Sequence, residues 1–401
     1  MRKYVLLFAL IGASFAGYGQ SWRDSLNANP NYGKFNFFQI TGHTGTHLYT
    51  GNGLDEALEN GYVGVEVRLG WQSYGKEWWQ ANAKFPSYGI GYYSGVIGDP
   101  EILGNPNALY AWFSQPLTNP NAKHALMWDI AAGLTYDLKS YDAETNPYND
   151  AIGSKTTVYF NVNIGGKSQI NREIDLTYGV DLTHFSNGRS FTPNYGLNMF
   201  GVNVGVRYNF NPFQKYMSAQ DPQLILASRP TYAYKEAPVK PKGIDFSIYG
   251  SIGTVQTERD SGVGLRYGTS SWVFDFRRVY AHKGAFTLGA DLFYDGSLYE
   301  LSDEWTNGEA AQKGDYWNVG VHIGHEFNIQ NFGLVTQYGW YVYKTIDARG
   351  TNWMRVGLNY KFSDRLFAQM ALKTQNGAIA DWIEFGVGYR IFRKYSQGTH
   401  R

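Results

Sequence analysis

The sequence predicts an all-β protein, a transmembrane antiparallel β-barrel. Three observations carry that prediction. Apolar and polar residues alternate with a period of two in segment after segment, and period two marks a strand because successive side chains point to opposite faces. The composition is aromatic and glycine-rich, with 32 Tyr, 24 Phe, 12 Trp and 47 Gly, yet only 17% of the residues are charged. Soluble proteins carry about 25%. The N-terminus reads as an export signal: basic Met1, Arg2 and Lys3, a short apolar run over residues 4–15, then small Ala16, Gly17 and Gly19. Cleavage is expected near Ala16 or Gly19. That run is too short to span a bilayer as a helix, which takes about 20 apolar residues.

The rest of the composition narrows the function classes. With 35 Lys+Arg against 34 Asp+Glu, the formal charge is +1, so no nucleic-acid partner or polybasic membrane patch is expected. The chain has no Cys, which excludes disulfide scaffolds, thiolate metal sites, thiol nucleophiles and a lipoprotein anchor.

The strands follow in order. Val63, Val65, Val67 and Leu69 alternate with Gly64, Glu66 and Arg68. Over residues 126–136 the even positions are Leu126, Trp128, Ile130, Ala132, Leu134 and Tyr136. Val158, Phe160, Val162 and Ile164 alternate with Tyr159, Asn161 and Asn163. Strands are placed near residues 35, 62, 88, 108, 125, 156, 172 and 197, eight in all. The stretch 211–242 breaks the pattern with Pro212, Pro222, Pro230, Pro238 and Pro241 and reads as a long connection. Alternation resumes at Ile244, as in Phe286, Leu288, Ala290, Leu292 and Tyr294, and about eight more strands reach Phe392. The organisation is then a signal peptide (1–19), a first half (20–210), the connection (211–242), a second half (243–393) and a tail (394–401).

A sandwich or a soluble barrel would bury the apolar face; a membrane barrel turns it to lipid and lines its interior with polar residues and Gly. Segments of ten or more residues with aromatic ends, behind a signal peptide, select the membrane barrel. Each half ends in a Gly-rich strand preceded by an Asn-Gly turn, Asn187-Gly188 and Asn376-Gly377, which suggests duplication of an eight-stranded unit. The reading adopted is one barrel of about 16 strands, since duplication can widen a sheet. Two tandem eight-stranded barrels are the alternative.

The segment 172–198 holds the candidate chemistry. Its even positions, Ile174, Leu176, Tyr178, Val180 and Leu182, form the lipid-facing stripe and run on to His184 and Ser186. Two polar residues on that face are not explained by stability. Asn198 shares the parity of the lipid face of the next strand. If the mature chain starts in the periplasm, the seventh strand ends at the outer leaflet, and His184, Ser186 and Asn198 gather at the outer lipid–water boundary. A serine hydroxyl is a weak nucleophile until a base takes its proton. Residues i and i+2 of one strand face are about 7 Å apart, near enough for their side chains to meet.

The run His184-Phe185-Ser186-Asn187-Gly188, on the penultimate strand of an eight-stranded unit, resembles the lipid A 3-O-deacylase (PagL-like) family. The resemblance spans roughly residues 35–210. It implies an outer-membrane esterase that removes an ester-linked acyl chain from lipid A, without a cofactor or metal. It makes Ser186 the nucleophile and His184 the general base, with Asn187 a candidate for the oxyanion hole and Gly188 leaving room for the oxyanion. The family's third member, a Glu, falls at Asn198. Asn can hold a His tautomer by accepting its N–H, but it does not stabilise the imidazolium as a carboxylate would. Asp181 is close in sequence but faces the lumen by parity.

In the second half, Lys373, Gln375, Asn376 and Gly377 stand where His184, Ser186, Asn187 and Gly188 stand in the first, so that half is read as non-catalytic. His43 and His47 share a parity but have no further ligand to complete a metal site, and are read as interfacial imidazoles. His322 and His325 lie on opposite faces. Trp78-Trp79 and Tyr92-Tyr93 read as interfacial aromatics. The competing function is a non-catalytic barrel, either structural or a pore lined by Glu66, Arg68, Asp129, Arg207 and Arg355. A phospholipase would need the same nucleophile and a similar lipid-facing site.

Overall fold

The computed structural model describes residues 29 and 31–396, apart from 239–241, 299–313, 345 and 378. The signal peptide expected over residues 1–19 lies outside them. Among the described residues, sixteen strands form two closed barrels. The first comprises β1 (Asn36–His47), β2 (Tyr62–Gln72), β3 (Ser87–Val96), β4 (Gly104–Pro116), β5 (His124–Leu138), β6 (Val158–Gln169), β7 (Ile174–Ser186) and β8 (Leu197–Phe210). The second comprises β9 (Lys242–Val255), β10 (Tyr267–Ala281), β11 (Gly284–Asp295), β12 (Trp317–Ile329), β13 (Phe332–Tyr343), β14 (Asn352–Lys361), β15 (Leu366–Gln375) and β16 (Ile379–Ser396).

The tandem alternative is therefore the one that forms, and the single barrel of about 16 strands is not. The reason is edge pairing. β8 pairs with β1 from Asn36↔Phe210 to His47↔Met199, and β16 pairs with β9 from Lys242↔Ser396 to Ile252↔Phe385. Each sheet consumes its own edges, so no strand edge is left to join the halves. In a bilayer this satisfies every ladder donor.

Side chains sort as the alternation requires. Outward positions are apolar and exposed, as at Val63, Leu109, Val204, Leu288 and Val387. An exposed apolar band of this extent is stable only against lipid. Among the described residues no helix is long and apolar enough to cross a membrane; the crossings are made by strands.

Both lumens are filled. In the first barrel, the end that carries the long loops holds packed aromatics: Tyr93 stacks on Tyr159 at 5.6 Å, and Phe185 lies tilted against Tyr159 at 5.7 Å. Toward the other end lie Glu66, Arg68, Asp129 and Arg207, around a cavity of about 30 Å³, room for about two waters. The connection closes the base. Arg229 Nη1 lies 2.8 Å from Asp175, Thr231 exchanges hydrogen bonds with Asn31, and Tyr232 stacks on Phe85 at 4.6 Å. Burial pushes the Tyr232 hydroxyl up to about 12. The second lumen is packed with ion pairs centred on Arg355, which binds Glu384 and Asp291. The residues read as lining one wide pore thus sit in two separate, occupied interiors.

Candidate functional site

β7 positions the site. Its inward residues Asp175, Thr177, Asp181 and Thr183 are buried in the lumen, while Leu176, Tyr178, Val180 and Leu182 face outward. Phe185 is fully buried among the lumen aromatics. That anchor fixes the end of the strand, so its neighbours His184 and Ser186 must point to the outer face. Asp181 turns inward, where it meets His43 Nδ1 at 3.0 Å and takes no part in the outer cluster.

The barrel register pairs His184 directly with Asn198. The His184 Nδ1–H donates to Asn198 Oδ1 over 2.7 Å. This tautomer leaves Nε2 with a free lone pair, the form a general base requires.

The loop 187–196 then folds over Ser186. Two consecutive residues, Gly188 and Arg189, have φ of 61° and 65°, a left-handed pair that an Asn-Gly start tolerates. The Asn187 side chain is committed to the loop: its Nδ2 donates to the Phe191 carbonyl (3.0 Å) and the Ser154 hydroxyl (3.2 Å). Its backbone N–H donates to Asn194 Oδ1 at 3.1 Å. Asn187 thus fastens the turn, and other groups face the serine. The Gly188 N–H and the Asn194 Nδ2 both donate to Ser186 Oγ, at 3.2 and 2.9 Å. Ser186 is 7% exposed and its hydroxyl is turned toward these donors rather than bonded to His184.

Gly196 is the floor between the two side chains. A Cβ on it would lie 2.9 Å from His184 Cε1 and 3.5 Å from Ser186 Cβ, and its φ is 74°. Gly196→Ala therefore combines left-handed strain with a clash on the imidazole. We expect it to cost about 1–2 kcal/mol, read as a lower unfolding temperature in heat-modifiability gels.

The structure thus gathers His184, Ser186, Asn198 and Gly188 at one place and adds Asn194 and Gly196. The latter two sit in an irregular loop, where no periodicity marks a side chain's direction. A Pro-Asn step before a glycine is the only local signal they carry, and it reads as a turn.

The other sequence candidates lie elsewhere. His43 is inside the first barrel rather than at an interface, and His47 Nε2 lies 3.1 Å from the Ile97 carbonyl oxygen. His322 is buried between Asp275 and Asp291, whereas His325 meets Tyr280 outside. Among the described residues, no group of three His, Asp or Glu is arranged to hold a metal. The proposed correspondence of Lys373 with His184 fails in space. Lys373 is buried in the second lumen on Asp381 and Tyr341, while Leu372 takes the outward position. Equal offsets from the Asn-Gly turns do not preserve parity, because the two turns differ in length and β15 shifts register at Lys373/Thr374.

Comparison with known proteins gives family matches over both barrels. Residues 64–207 match the family model of lipid A 3-O-deacylase (PagL), and residues 244–394 match that of the acyloxyacyl hydrolase C-terminal domain (PagL_C). The first barrel is thus similar to the lipid A 3-O-deacylase family. The matched segment holds β3 to β7 in full, most of β2 and β8, and the loop over Ser186; β1 lies outside it. The family and the apolar outer band make this an outer-membrane protein. Among solved structures, the outer-membrane enzyme PagL is 15% identical, with a TM-score of 0.28 over 42% of this chain and 97% of its own. CdiB from Acinetobacter baumannii is 11% identical, with a TM-score of 0.17 over 89% of this chain and 60% of its own. A mutant Rh. blastica porin is 7% identical, with a TM-score of 0.17 over 89% and 99%. No curated protein sequence matches the chain.

Proposed function

We propose that the deacylase barrel hydrolyses an ester-linked acyl chain of lipid A in the outer leaflet, through Ser186 and His184. The observation that carries this is the polar cluster at the end of a lipid-facing stripe: a histidine whose tautomer is held by Asn198, beside a serine whose oxygen receives two N–H donors. The amphiphile's acyl chain would lie along the apolar face of β7 and β8, with its ester at the level of Ser186.

In this mechanism the Ser186 hydroxyl turns toward His184 Nε2, which takes its proton as Oγ attacks the ester carbonyl. The tetrahedral carbon, bonded to Oγ, carries the oxyanion two bonds from Oγ, within reach of the Gly188 N–H and the Asn194 amide. Such donors stabilise charge where it develops, and each is worth about 2.7–4 kcal/mol in well-formed sites. The imidazolium then protonates the leaving sugar oxygen. Water, deprotonated by the same histidine, releases the fatty acid from Ser186. Bonds within hydrogen-bond reach often tighten only with substrate bound, so the turned-away hydroxyl is compatible with this path.

Asn198 sets the rate of proton transfer. Asn198→Asp places a carboxylate on Nδ1–H and stabilises the imidazolium, so kcat is expected to rise about tenfold. Asn198→Ala frees the tautomer, and kcat is expected to fall about 10- to 100-fold. Initial rates of fatty-acid release from lipid A vesicles check both. The reading as a whole is tested by mass spectrometry of lipid A from cells making the native protein. Loss of one acyl chain is expected, and unchanged lipid A with a folded barrel would sink it.

A further inference from the structure

The loop over Ser186 is held from two sides. The first barrel holds Tyr195 and Gly196, whose N–H groups donate to the Asp150 and Ala151 carbonyls at 3.1 and 3.0 Å. The second barrel holds the middle of the loop through the segment that follows β9. Gln256 is the centre of this contact and is 1% exposed. Its Oε1 accepts the Thr192 N–H at 2.6 Å, and its backbone N–H donates to the Arg189 carbonyl at 3.1 Å. Its Nε2 donates to its own segment, to the carbonyls of Asp260 (2.9 Å) and Leu265 (3.1 Å). The Thr192 hydroxyl donates to the Thr257 carbonyl and accepts from Ser261, each at 2.8 Å. Ile383 of β16 seals the start of the loop, where a Cβ on Gly188 would lie 2.4 Å from Ile383 Cγ1.

The placement of these contacts gives them a consequence. Arg189 and Thr192 lie between Gly188 and Asn194, the two residues whose donors face Ser186 Oγ. Fixing the backbone at both points fixes both donors. Gly188 alone would leave the turn free to pivot, since glycine tolerates many conformations. Both ends of the Gln256 amide are satisfied, Oε1 by the loop and Nε2 by its own segment, so its side chain has one low-energy placement.

We infer that Gln256 is a positioning residue for ester hydrolysis at Ser186, and that the second barrel completes the site of the first. It touches neither substrate nor the reacting atoms. It acts by holding Thr192 and Arg189, and through them the Gly188 and Asn194 donors. A shift of about 1 Å in such donors costs on the order of 10²-fold in rate. The second barrel thereby has a role that its lack of a His/Ser pair does not rule out. This inference rests on the Ser186/His184 reading.

The test compares Gln256→Ala and Gln256→Glu in the full-length protein, with kcat and KM measured on lipid A vesicles and folding checked by heat-modifiable mobility. Glu keeps the oxygen that accepts the Thr192 N–H and loses the donors to Asp260 and Leu265. If Gln256 acts by holding the loop, Gln256→Ala lowers kcat about 10- to 100-fold with KM within about threefold, while Gln256→Glu retains most of the rate. If Gln256 serves only its own segment, both variants lose activity alike, or neither does, and the inference is overturned. Should Gln256→Ala fail to fold, Ser261→Ala removes a single bond to Thr192. A fall of about three- to tenfold in kcat is then expected, and an unchanged kcat overturns the inference. Inactivity of the native protein is a separate result: it defeats the Ser186/His184 reading and this inference with it.

Discussion

Ser186→Ala is expected to abolish deacylation, with kcat falling at least about 10⁴-fold. Alanine removes the oxygen that would form the acyl intermediate in the proposed mechanism. Lipid A from cells making the variant should match that from cells without the protein, whereas the native protein is expected to remove one acyl chain. His184→Ala is expected to lose a similar amount, because an unassisted serine is a poor nucleophile. The double variant should be scarcely worse than either single one, since the two groups act as a unit. Additive losses would mean that His184 works apart from Ser186, as a ligand of the substrate for instance. Folding is not expected to suffer. Ser186 Oγ only accepts two bonds at a strand end, and His184 points away from the packed lumen, so heat-modifiable mobility should be kept.

How far this site could be read in advance depends on which link of the chain carried it. Parity carried His184 and Ser186, because a strand alternates whatever its partners do. Facing Asn198 required one further step, that β7 and β8 pair across their connecting loop, and hairpin neighbours usually do. The direct pair His184↔Asn198 is that step realised. The donors were less legible. Asn187 precedes Gly188 and looks free in a linear sequence, yet in the loop its amide is spent on Phe191 and Ser154, and Asn194 comes round to Ser186 instead. Gln256 lies 70 residues beyond Ser186 in another barrel, so no local pattern connects the two. The same limit applies to the fold. Sixteen strands could be counted from alternation, but whether β8 bonds to β1 or to β9 is a long-range choice, and both options satisfy every backbone group. The connection hinted at the answer. Its prolines exclude a strand, and Tyr232 and Arg229 are suited to filling a barrel mouth, as they do beside Phe85 and Asp175.

The largest stability effect is expected in the second barrel, at Arg355. Its guanidinium is fully buried and binds Glu384 through Nε at 2.7 Å and Nη2 at 3.1 Å, and Asp291 and Gln337 through Nη1 at 2.9 and 2.6 Å. It also lies 4.9 Å from the Trp353 ring. Arg355→Met keeps the bulk of the side chain but leaves the buried Glu384 without its cation, while Asp291 keeps His322. Removing one member of a buried ionic cluster costs about 3–5 kcal/mol, mostly through the charge left unpaired. Denaturant titration in detergent should show that loss as a fall in midpoint, with the first barrel's transition unmoved where the two resolve. Adding Glu384→Gln to Arg355→Met should return part of it, since the neutral amide no longer needs a cation; its neighbour Ser271 can still donate to it, as it does to Glu384 Oε1 at 2.6 Å. A double variant no better than Arg355→Met would mean that the arginine acts by filling space over Trp353 rather than by pairing charge. The outcome reaches the ester chemistry as well. β9 leads directly to Gln256, and it is built into the same barrel that Arg355 holds together. Under conditions where Arg355→Met loosens the second barrel, the loop over Ser186 loses its second support, and kcat should fall before the first barrel unfolds.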